Sequence, residues 1–274
     1  MKHSLALAAF ALLCLPAVAH DMWLVPPEGG RVGEPVEVVV SVGMDFPNSL
    51  NAIDPARLTT RALGPAGASA EVQVRALEDE KRTTTSFTPT APGAWMLSTV
   101  TRPKQLDMKA AKFNDYLLHD GLPHVLAGRM DRGEWDRDAV ERYSKYVKCA
   151  VRVGEAMDAG AAQAVLGHTL EIVPLADPFD VSVGQTLAVR VLYEGQPLER
   201  ANLCWDHPGN GEDFTGQTWT DRNGKALVPI GKSGPMTLRL IHMTRPMKDD
   251  YEWESFWASY TFRVEEGGPA RSLR

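Results

Sequence analysis

The feature that most restricts the fold is a recurrence of short, β-branched segments separated by Gly and Pro. The clearest is Val36-Glu37-Val38-Val39-Val40, which follows the turn-forming Gly33-Glu34-Pro35. Many short strands at hairpin-like spacing are typical of β-sandwiches. Asp221-Arg222-Asn223-Gly224 is a strong turn sequence between two of them. The remaining segments of this kind are residues 57–62, 70–76, 83–88, 94–100, 170–173, 186–193, 201–205, 226–230, 236–242 and 255–264.

The middle of the chain has a different character and predicts helices. Residues 109–118 and 136–151 contain many Ala, Lys, Arg, Glu and Leu residues and few β-branched pairs. In the second stretch, apolar residues from 143 to 150 recur at intervals of three and four, as in an amphipathic helix. The sequence therefore predicts a mainly β fold with two immunoglobulin-like or transthyretin-like β-sandwich domains and a helical insert between them.

The predicted boundaries follow these changes in pattern. An N-terminal sandwich is expected over residues 20–103, and the helical insert with a mobile Ala/Gly-rich linker over residues 104–167. The C-terminal Ig-like sandwich covers residues 168–265, and a disordered tail covers residues 266–274.

The first nineteen residues are predicted to be a signal peptide. An apolar run over residues 5–18 is too short for a membrane-spanning helix of ~20 residues. It ends in Ala17-Val18-Ala19, the small-x-small pattern of a signal-peptidase site. We expect cleavage after Ala19 and a periplasmic protein that begins at His20. Lipidation at Cys14 and a retained membrane anchor are the alternatives, and Leu13 argues against lipidation.

Two cysteines remain after that cleavage, Cys149 and Cys204. In an oxidising compartment they form either one disulfide or two buried thiols, and the sequence leaves both possibilities open.

His20 is the most specific candidate for chemistry. A free α-amine has a pKa near ~7.7–8.0, so the amine and the imidazole of an N-terminal histidine can chelate one metal ion. A second histidine would complete three nitrogen ligands, a set that suits Cu(II) and Ni(II). We predict His242, at the end of a candidate strand, as that ligand, and Glu254 as a fourth ligand or a supporting group. Chance placement of a histidine after a cleavage site is the competing explanation.

The other polar residues support simpler interpretations. His119 and His124 are expected in an exposed loop. On the predicted second helix, Glu141 and Lys145 have the spacing of a solvated ion pair. The alternative is that Lys145 or Lys148 points inward and pairs with an acid such as Glu254.

The mature start, His20-Asp21-Met22-Trp23-Leu24-Val25-Pro26, resembles that of a bacterial periplasmic family, a domain of unknown function whose members are described as NikM-like components of nickel or cobalt uptake. The resemblance implies a secreted two-sandwich protein that handles a transition metal beside a membrane transporter or a TonB-dependent receptor. His119 departs from the acidic residue expected before Asp120-Gly121-Leu122. The other matching segments are residues 112–117, 120–122, 141–148, 170–175, 177–178, 195–198, 220–224, 241–243 and 253–255.

These observations predict a non-enzymatic, periplasmic protein that binds nickel, cobalt or copper. A net charge of -6 argues against a nucleic-acid partner, and the common hydrolase, zinc-protease and phosphate-binding motifs are missing from the sequence. Two alternatives stay open. One is a metal-free Ig-like interaction module, and the other is a copper-dependent oxidase of the histidine-brace type.

Overall fold

The computed structural model describes residues 20–155, 158–211, 213–248 and 250–266. The predicted signal peptide, its cleavage site and all but the first residue of the predicted tail lie outside these ranges.

The described residues form seventeen strands and two α-helices, which confirms a mainly β fold. The two helices are α1 (Ala110–His119) and α2 (Pro123–Asp131). The strands of the first half are β1 (Asp21–Val25), β2 (Val36–Gly43), β3 (Leu58–Leu63), β4 (Ser69–Ala70), β5 (Val72–Leu77), β6 (Arg82–Phe87), β7 (Gly93–Thr101), β8 (Lys104–Met108) and β9 (Ala139–Val153). Those of the second half are β10 (Leu170–Pro174), β11 (Thr186–Tyr193), β12 (Gln196–Pro197), β13 (Asn202–Asp206), β14 (Gly216–Trp219), β15 (Lys225–Pro229), β16 (Gly234–Thr244) and β17 (Trp253–Val264).

The strands build three sheets, one of which is shared by the two halves of the chain. The N-terminal sheet has the order β1-β2-β6-β5, and the C-terminal sheet joins β10, β11, β12 and β15. The shared sheet has the order β14-β13-β16-β17-β9-β7-β3-β4, with β8 also paired to β9. The link between the halves is the parallel pairing of β9 with β17, from Trp253 opposite Glu141 to Thr261 opposite Cys149.

The helix predicted over residues 136–151 is wrong, because this segment is the fifteen-residue strand β9. β9 lies in the middle of the shared sheet and is covered on both faces, so buried residues occur at odd and even positions alike. Tyr146 and Ala150 pack toward the C-terminal sheet, while Val147 packs toward the N-terminal sheet. Because apolar residues point to both faces, they recur at the intervals of three and four that are typical of a helix. The alternation of apolar and polar residues that is expected of a half-exposed strand is therefore absent from this segment.

Three apolar clusters hold the layers together. One lies between the C-terminal sheet and one face of the shared sheet, where β17 contributes Phe256, Tyr260 and Phe262. The second lies between the N-terminal sheet and the opposite face, around Trp95 of β7. The third packs the helices on that same opposite face. The fold is thus two β-sandwiches that share one sheet, with the helices beside the N-terminal sheet.

The helix predicted over residues 109–118 is confirmed as α1, and α2 is a second helix that follows it. Neither of the two described helices is long and apolar enough to cross a membrane. Tyr116 of α1 stacks on Trp257 with ring planes 5° apart. Gly121, between the helices, has a φ of 75°, and a Cβ there would lie 2.2 Å from the amide nitrogen of Asn202. Glycine at this position therefore lets the loop pack closely on β13.

The linker predicted to be mobile instead packs into the core where it is described. Residues Gly160–Gln163 form a 3₁₀ helix, and Ala161 and Ala162 are buried in the cluster under the C-terminal sheet. The hydroxyl of Tyr260 donates a hydrogen bond of 2.9 Å to the carbonyl of Ala162.

Candidate functional site

The start of β1 is held against the shared sheet. Asp21 pairs with Gly43 of β2, and the hydroxyl of Ser259 on β17 donates to the carbonyl of Met22 at 2.8 Å. β1 therefore lies over β17 on the face opposite the C-terminal sheet. His20, directly before β1, is half-buried.

Arg239 of β16 joins two buried carboxylates next to His20. Its Nε lies 2.9 Å from Oδ1 of Asp21, and its Nη2 lies 2.5 Å from Oδ1 of Asp120 at the end of α1. All three side chains are less than a tenth exposed. The ring of Phe214 covers the guanidinium, 4.4 Å from the ring centroid. We call Asp21, His119, Asp120, Lys145 and Arg239 the N-terminal cluster.

His119 extends the cluster to the surface. Its Nδ1 lies 3.5 Å from Oδ1 of Asp120, and its side chain is 45% exposed. The hydrogen bond to Asp120 raises the pKa of His119, although burial opposes the shift. His119 also lines a cavity of about 680 Å³ together with Phe214 and Trp219. The structure thus places this imidazole between the buried acids and an open cavity, and not in a loop without contacts.

Lys145 of β9 ties the cluster to the backbone of His20. Its Nζ donates a hydrogen bond to the carbonyl of His20 and lies 4.1 Å from the ring centroid of Trp257. Burial lowers the pKa of Lys145 to about 8, against the opposing charge of Asp21. The predicted solvated ion pair with Glu141 is wrong, since the structure buries both residues on a strand.

Glu141 forms a second polar group beside the cluster. One of its oxygens, Oε1, accepts hydrogen bonds from the hydroxyls of Ser255 and, at 3.1 Å, Tyr116. Its Oε2 is buried and has no hydrogen-bond partner among the described residues. Burial raises the pKa of Glu141 to about 7, and the two hydroxyl donors only partly counter it.

Asp21 is similarly sensitive to its surroundings. Burial raises its pKa to about 6, although the positive charge of Arg239 works in the opposite direction, and Asp120 adds to the rise. Asp21 and Lys145 of the cluster and the neighbouring Glu141 therefore have pKa values between about 6 and about 8. Such groups exchange protons near neutral pH and respond to any further charge that binds beside them.

The described side chains do not by themselves complete a metal site. Among them, no group of three or more His, Cys, Asp and Glu residues is arranged to hold a metal ion. His20 offers a ring nitrogen, and cleavage after Ala19 would add its amine. The donors needed for a chelate thus depend on the mature N-terminus.

The structure places the predicted ligands on two faces of the shared sheet. Side chains alternate along a strand, so His242 and Arg239, three residues apart on β16, point to opposite faces. The ring of His242 contacts Tyr193 of the C-terminal sheet, with centroids 4.4 Å apart. Glu254 lies opposite Thr244, diagonal to His242 on the same face. It is 3.9 Å from the guanidinium of Arg142. His242 and Glu254 are therefore neighbours, and His20 is anchored on the other face.

The alternative prediction, that Lys145 or Lys148 points inward and pairs with an acid, is correct for Lys148. Its partner is Glu171 and not Glu254. Lys148 is buried, and its Nζ lies 2.8 Å from Oε1 of Glu171 on β10. Glu171 also accepts backbone N–H bonds from Leu166, Gly167 and His168. Of the two outcomes left open for the cysteines, the structure shows two buried, free thiols in the part of the chain that it describes.

Several residues of the site were not identified from the sequence. Asp21, Asp120 and Arg239 come from three distant segments and carry no recognisable spacing. The first two nevertheless fall inside segments of the family resemblance, residues 20–26 and 120–122, and Glu141 and Lys145 fall inside residues 141–148. The structure brings these segments together in space. Their shared resemblance to the family is the signal that could have identified the cluster from the sequence.

Solved structures give only distant likenesses. The D0-D1 domain of intimin is 12% identical, with a TM-score of 0.24, and the match covers 88% of this chain and 97% of that chain. The Lin-41 filamin domain is 13% identical, with a TM-score of 0.24, over 30% of this chain and 78% of that chain. A Salmonella alpha-2-macroglobulin variant is 11% identical, with a TM-score of 0.27, over 94% of this chain and 16% of that chain.

Comparison with curated proteins found no match. A family model does match, over residues 17–244, and it includes β1, both helices and the N-terminal cluster. The chain therefore belongs to the family described as a domain of unknown function, DUF4198.

Proposed function

We propose that this chain is a secreted, periplasmic protein that binds a transition-metal ion, nickel, cobalt or copper, at His20 after signal-peptide cleavage. The observation that carries the proposal is the anchoring of the first two mature residues. The carbonyl of His20 accepts a hydrogen bond from Lys145, and Asp21 is paired with the buried Arg239. A chelating residue held in this way loses little conformational freedom when it binds an ion.

His119 is the proposed third nitrogen donor, in the role that the sequence suggested for His242. Its Nδ1 faces Asp120, which leaves Nε2 as the nitrogen available to a metal. A carboxylate behind a metal-binding imidazole fixes the ring and raises its basicity. The amine and ring of His20 with the ring of His119 would form a nitrogen-rich set, which favours Cu(II) and Ni(II).

The biological role proposed is that of an accessory of metal uptake. The family resemblance supports delivery of the ion to a membrane transporter or a TonB-dependent receptor. In this role the metal is cargo, and the buried acids and bases hold the N-terminus in place and adjust the charge beside the ion.

The test is calorimetric titration of Ni(II), Co(II), Cu(II) and Zn(II) into protein whose first residue is His20 with an unmodified α-amine. The matched control carries one extra alanine before His20, which converts the amine into an amide. We expect one tight equivalent of Ni(II), Co(II) or Cu(II) that is lost in the control, and an affinity for that ion lower by about 10–100-fold in His119→Ala. Equal affinity with and without the extra alanine would overturn the N-terminal site.

A metal-free interaction module is the second candidate. Failure of both proteins to bind any of the four ions would support it.

A further inference from the structure

A second cavity adjoins the first, with which it shares Gly121 and Trp219 among its lining residues, and it contains two histidines. Its volume is about 800 Å³, and His124 at the start of α2 and His242 on β16 both line it.

His242 is oriented by aromatic packing. Its ring lies against Tyr193, with centroids 4.4 Å apart, and Tyr193 in turn packs on Phe256. Among the residues that the structure describes, none forms a hydrogen bond with the ring nitrogens of His242. The imidazole is thus fixed by apolar contacts, while its two polar atoms remain available to a ligand.

Burial opposes protonation of both rings. Burial lowers the pKa of His242 to about 4, and the positive charge of a protonated His124 would lower it further. Burial also lowers the pKa of His124, with a smaller contribution from Arg200. Neutral imidazoles bind divalent transition metals without first losing a proton.

We propose that His124 and His242 form a metal-binding site, independent of the N-terminus, for a divalent ion that accepts imidazole ligands. The site uses neither the amine of His20 nor any residue of the N-terminal cluster, so it does not rest on the function proposed above. Because the described residues include no third clustered ligand, two imidazoles bind the ion and water completes its coordination. The bound ion should therefore exchange with solution faster at this site than at a multidentate chelate.

The test uses Zn(II) as the probe and the full mature protein with one extra alanine before His20, in which an N-terminal chelate cannot form. Calorimetry should show one equivalent of Zn(II), and histidine-selective NMR should show shifts of two imidazoles only. His124→Ala changes an exposed side chain, and His242→Phe keeps the packing against Tyr193. Each should weaken binding at least ten-fold, whereas the control Lys112→Ala, at an exposed position of α1, should bind Zn(II) unchanged.

Absence of Zn(II) binding by the extended protein, or binding that survives both substitutions, would overturn this site. Neither result bears on the N-terminal chelate, whose own test is the difference between the free and extended N-termini.

Discussion

Lys145 and Lys148 lie three residues apart on β9 and so point to opposite faces of the shared sheet, where their surroundings differ. Lys148 meets Glu171 at 2.8 Å, and three backbone N–H groups satisfy the same carboxylate. Lys145 meets a backbone carbonyl and lies near two acids with raised pKa values, Asp21 and Glu141. A closed ion pair with every acceptor engaged is typical of a structural role, and a cluster with spare polar atoms is typical of a binding site.

Spare polar atoms belong to an acid and the arginine on the side of Lys145, whereas on the side of Lys148 the carboxylate is fully engaged and the spare atom is Nδ1 of His168. Oε2 of Glu141 and Nη1 of Arg239 are buried without a hydrogen-bond partner among the described residues. Unsatisfied buried groups reduce stability, and the proposed binding of an ion beside Lys145 would account for this cost. Burial of a charge therefore does not by itself assign a structural role to a residue.

The largest expected effect separates the two lysines by stability. Lys148→Met leaves the buried Glu171 without its cation, and we expect the free energy of unfolding to fall by about 3–5 kcal/mol. Lys145→Met removes a hydrogen bond to a carbonyl, a contact with Trp257 and a charge near acids whose raised pKa values let them become neutral, and should cost about 1 kcal/mol. Urea unfolding of both variants measures the difference. The double variant Lys148→Met with Glu171→Leu is the control and should recover part of the loss.

An equal loss of unfolding free energy in the two single variants would contradict this comparison. It would show that the surroundings of Lys145 depend on its charge as strongly as those of Lys148 do.

A smaller effect is expected when the pH changes. The contributions of Glu141 and Glu171 to the free energy of unfolding should change with pH in opposite directions. The pKa of Glu141 is about 7 in the folded protein and 4.5 as the reference value, so its protonated form is stabilised by folding. Its contribution to stability is present below pH 4.5 and is lost as the pH rises through about 7, by about 3 kcal/mol. For Glu171, burial raises the pKa, but the charge of Lys148 and the hydrogen bonds outweigh it and the net pKa is lowered. Its contribution is present above pH 4.5 and is lost as the pH falls.

Urea unfolding between pH 4 and pH 8 tests these slopes. Relative to the wild type, Glu141→Gln should gain stability with rising pH, and Glu171→Gln should lose it. Differences with the same sign of slope in the two variants would contradict the assignment of one open and one closed site.

The smallest effect concerns the two thiols. Burial raises the pKa of Cys204 to about 11, and Arg239 of the N-terminal cluster partly counters the rise. Burial raises the pKa of Cys149 further, with no opposing charge. We expect both native thiols to react slowly with a disulfide reagent at pH 8, and Cys204 to react first. Cys204→Ala should remove the faster phase.

Two reactive thiols should appear when the protein is denatured without reductant. Their absence would mean that Cys149 and Cys204 are joined, contrary to the structure.

Much of the strand pattern could be predicted from local sequence. β11, predicted over residues 186–193, is observed as Thr186–Tyr193, and β7, predicted over residues 94–100, as Gly93–Thr101. These strands have β-branched runs bounded by turn residues, so neighbouring residues determine their conformation. The helix prediction over the β9 segment failed because strands far away in the chain determine the environment of this segment. A strand covered on both faces shows no alternation that a sequence pattern can reveal.

The candidate site was only partly predictable for a related reason. Asp21, Asp120 and Arg239 are unremarkable alone, and their meaning comes from contacts across more than a hundred residues of sequence. His119 was interpreted as an exposed loop residue because its spacing from His124 is not that of a metal site; its side chain is exposed, but it ends α1 and contacts Asp120.

The mainly β class and the turn at Gly224 follow from the amino-acid sequence alone. These features depend on local backbone preferences, which a short stretch of residues contains in full. The tertiary structure was needed to show that one sheet is shared by both halves, that Arg239 joins Asp21 to Asp120, and that His242 faces away from Arg239. Such facts depend on which strands pair and which face each residue occupies, and these follow from the packing of the whole chain.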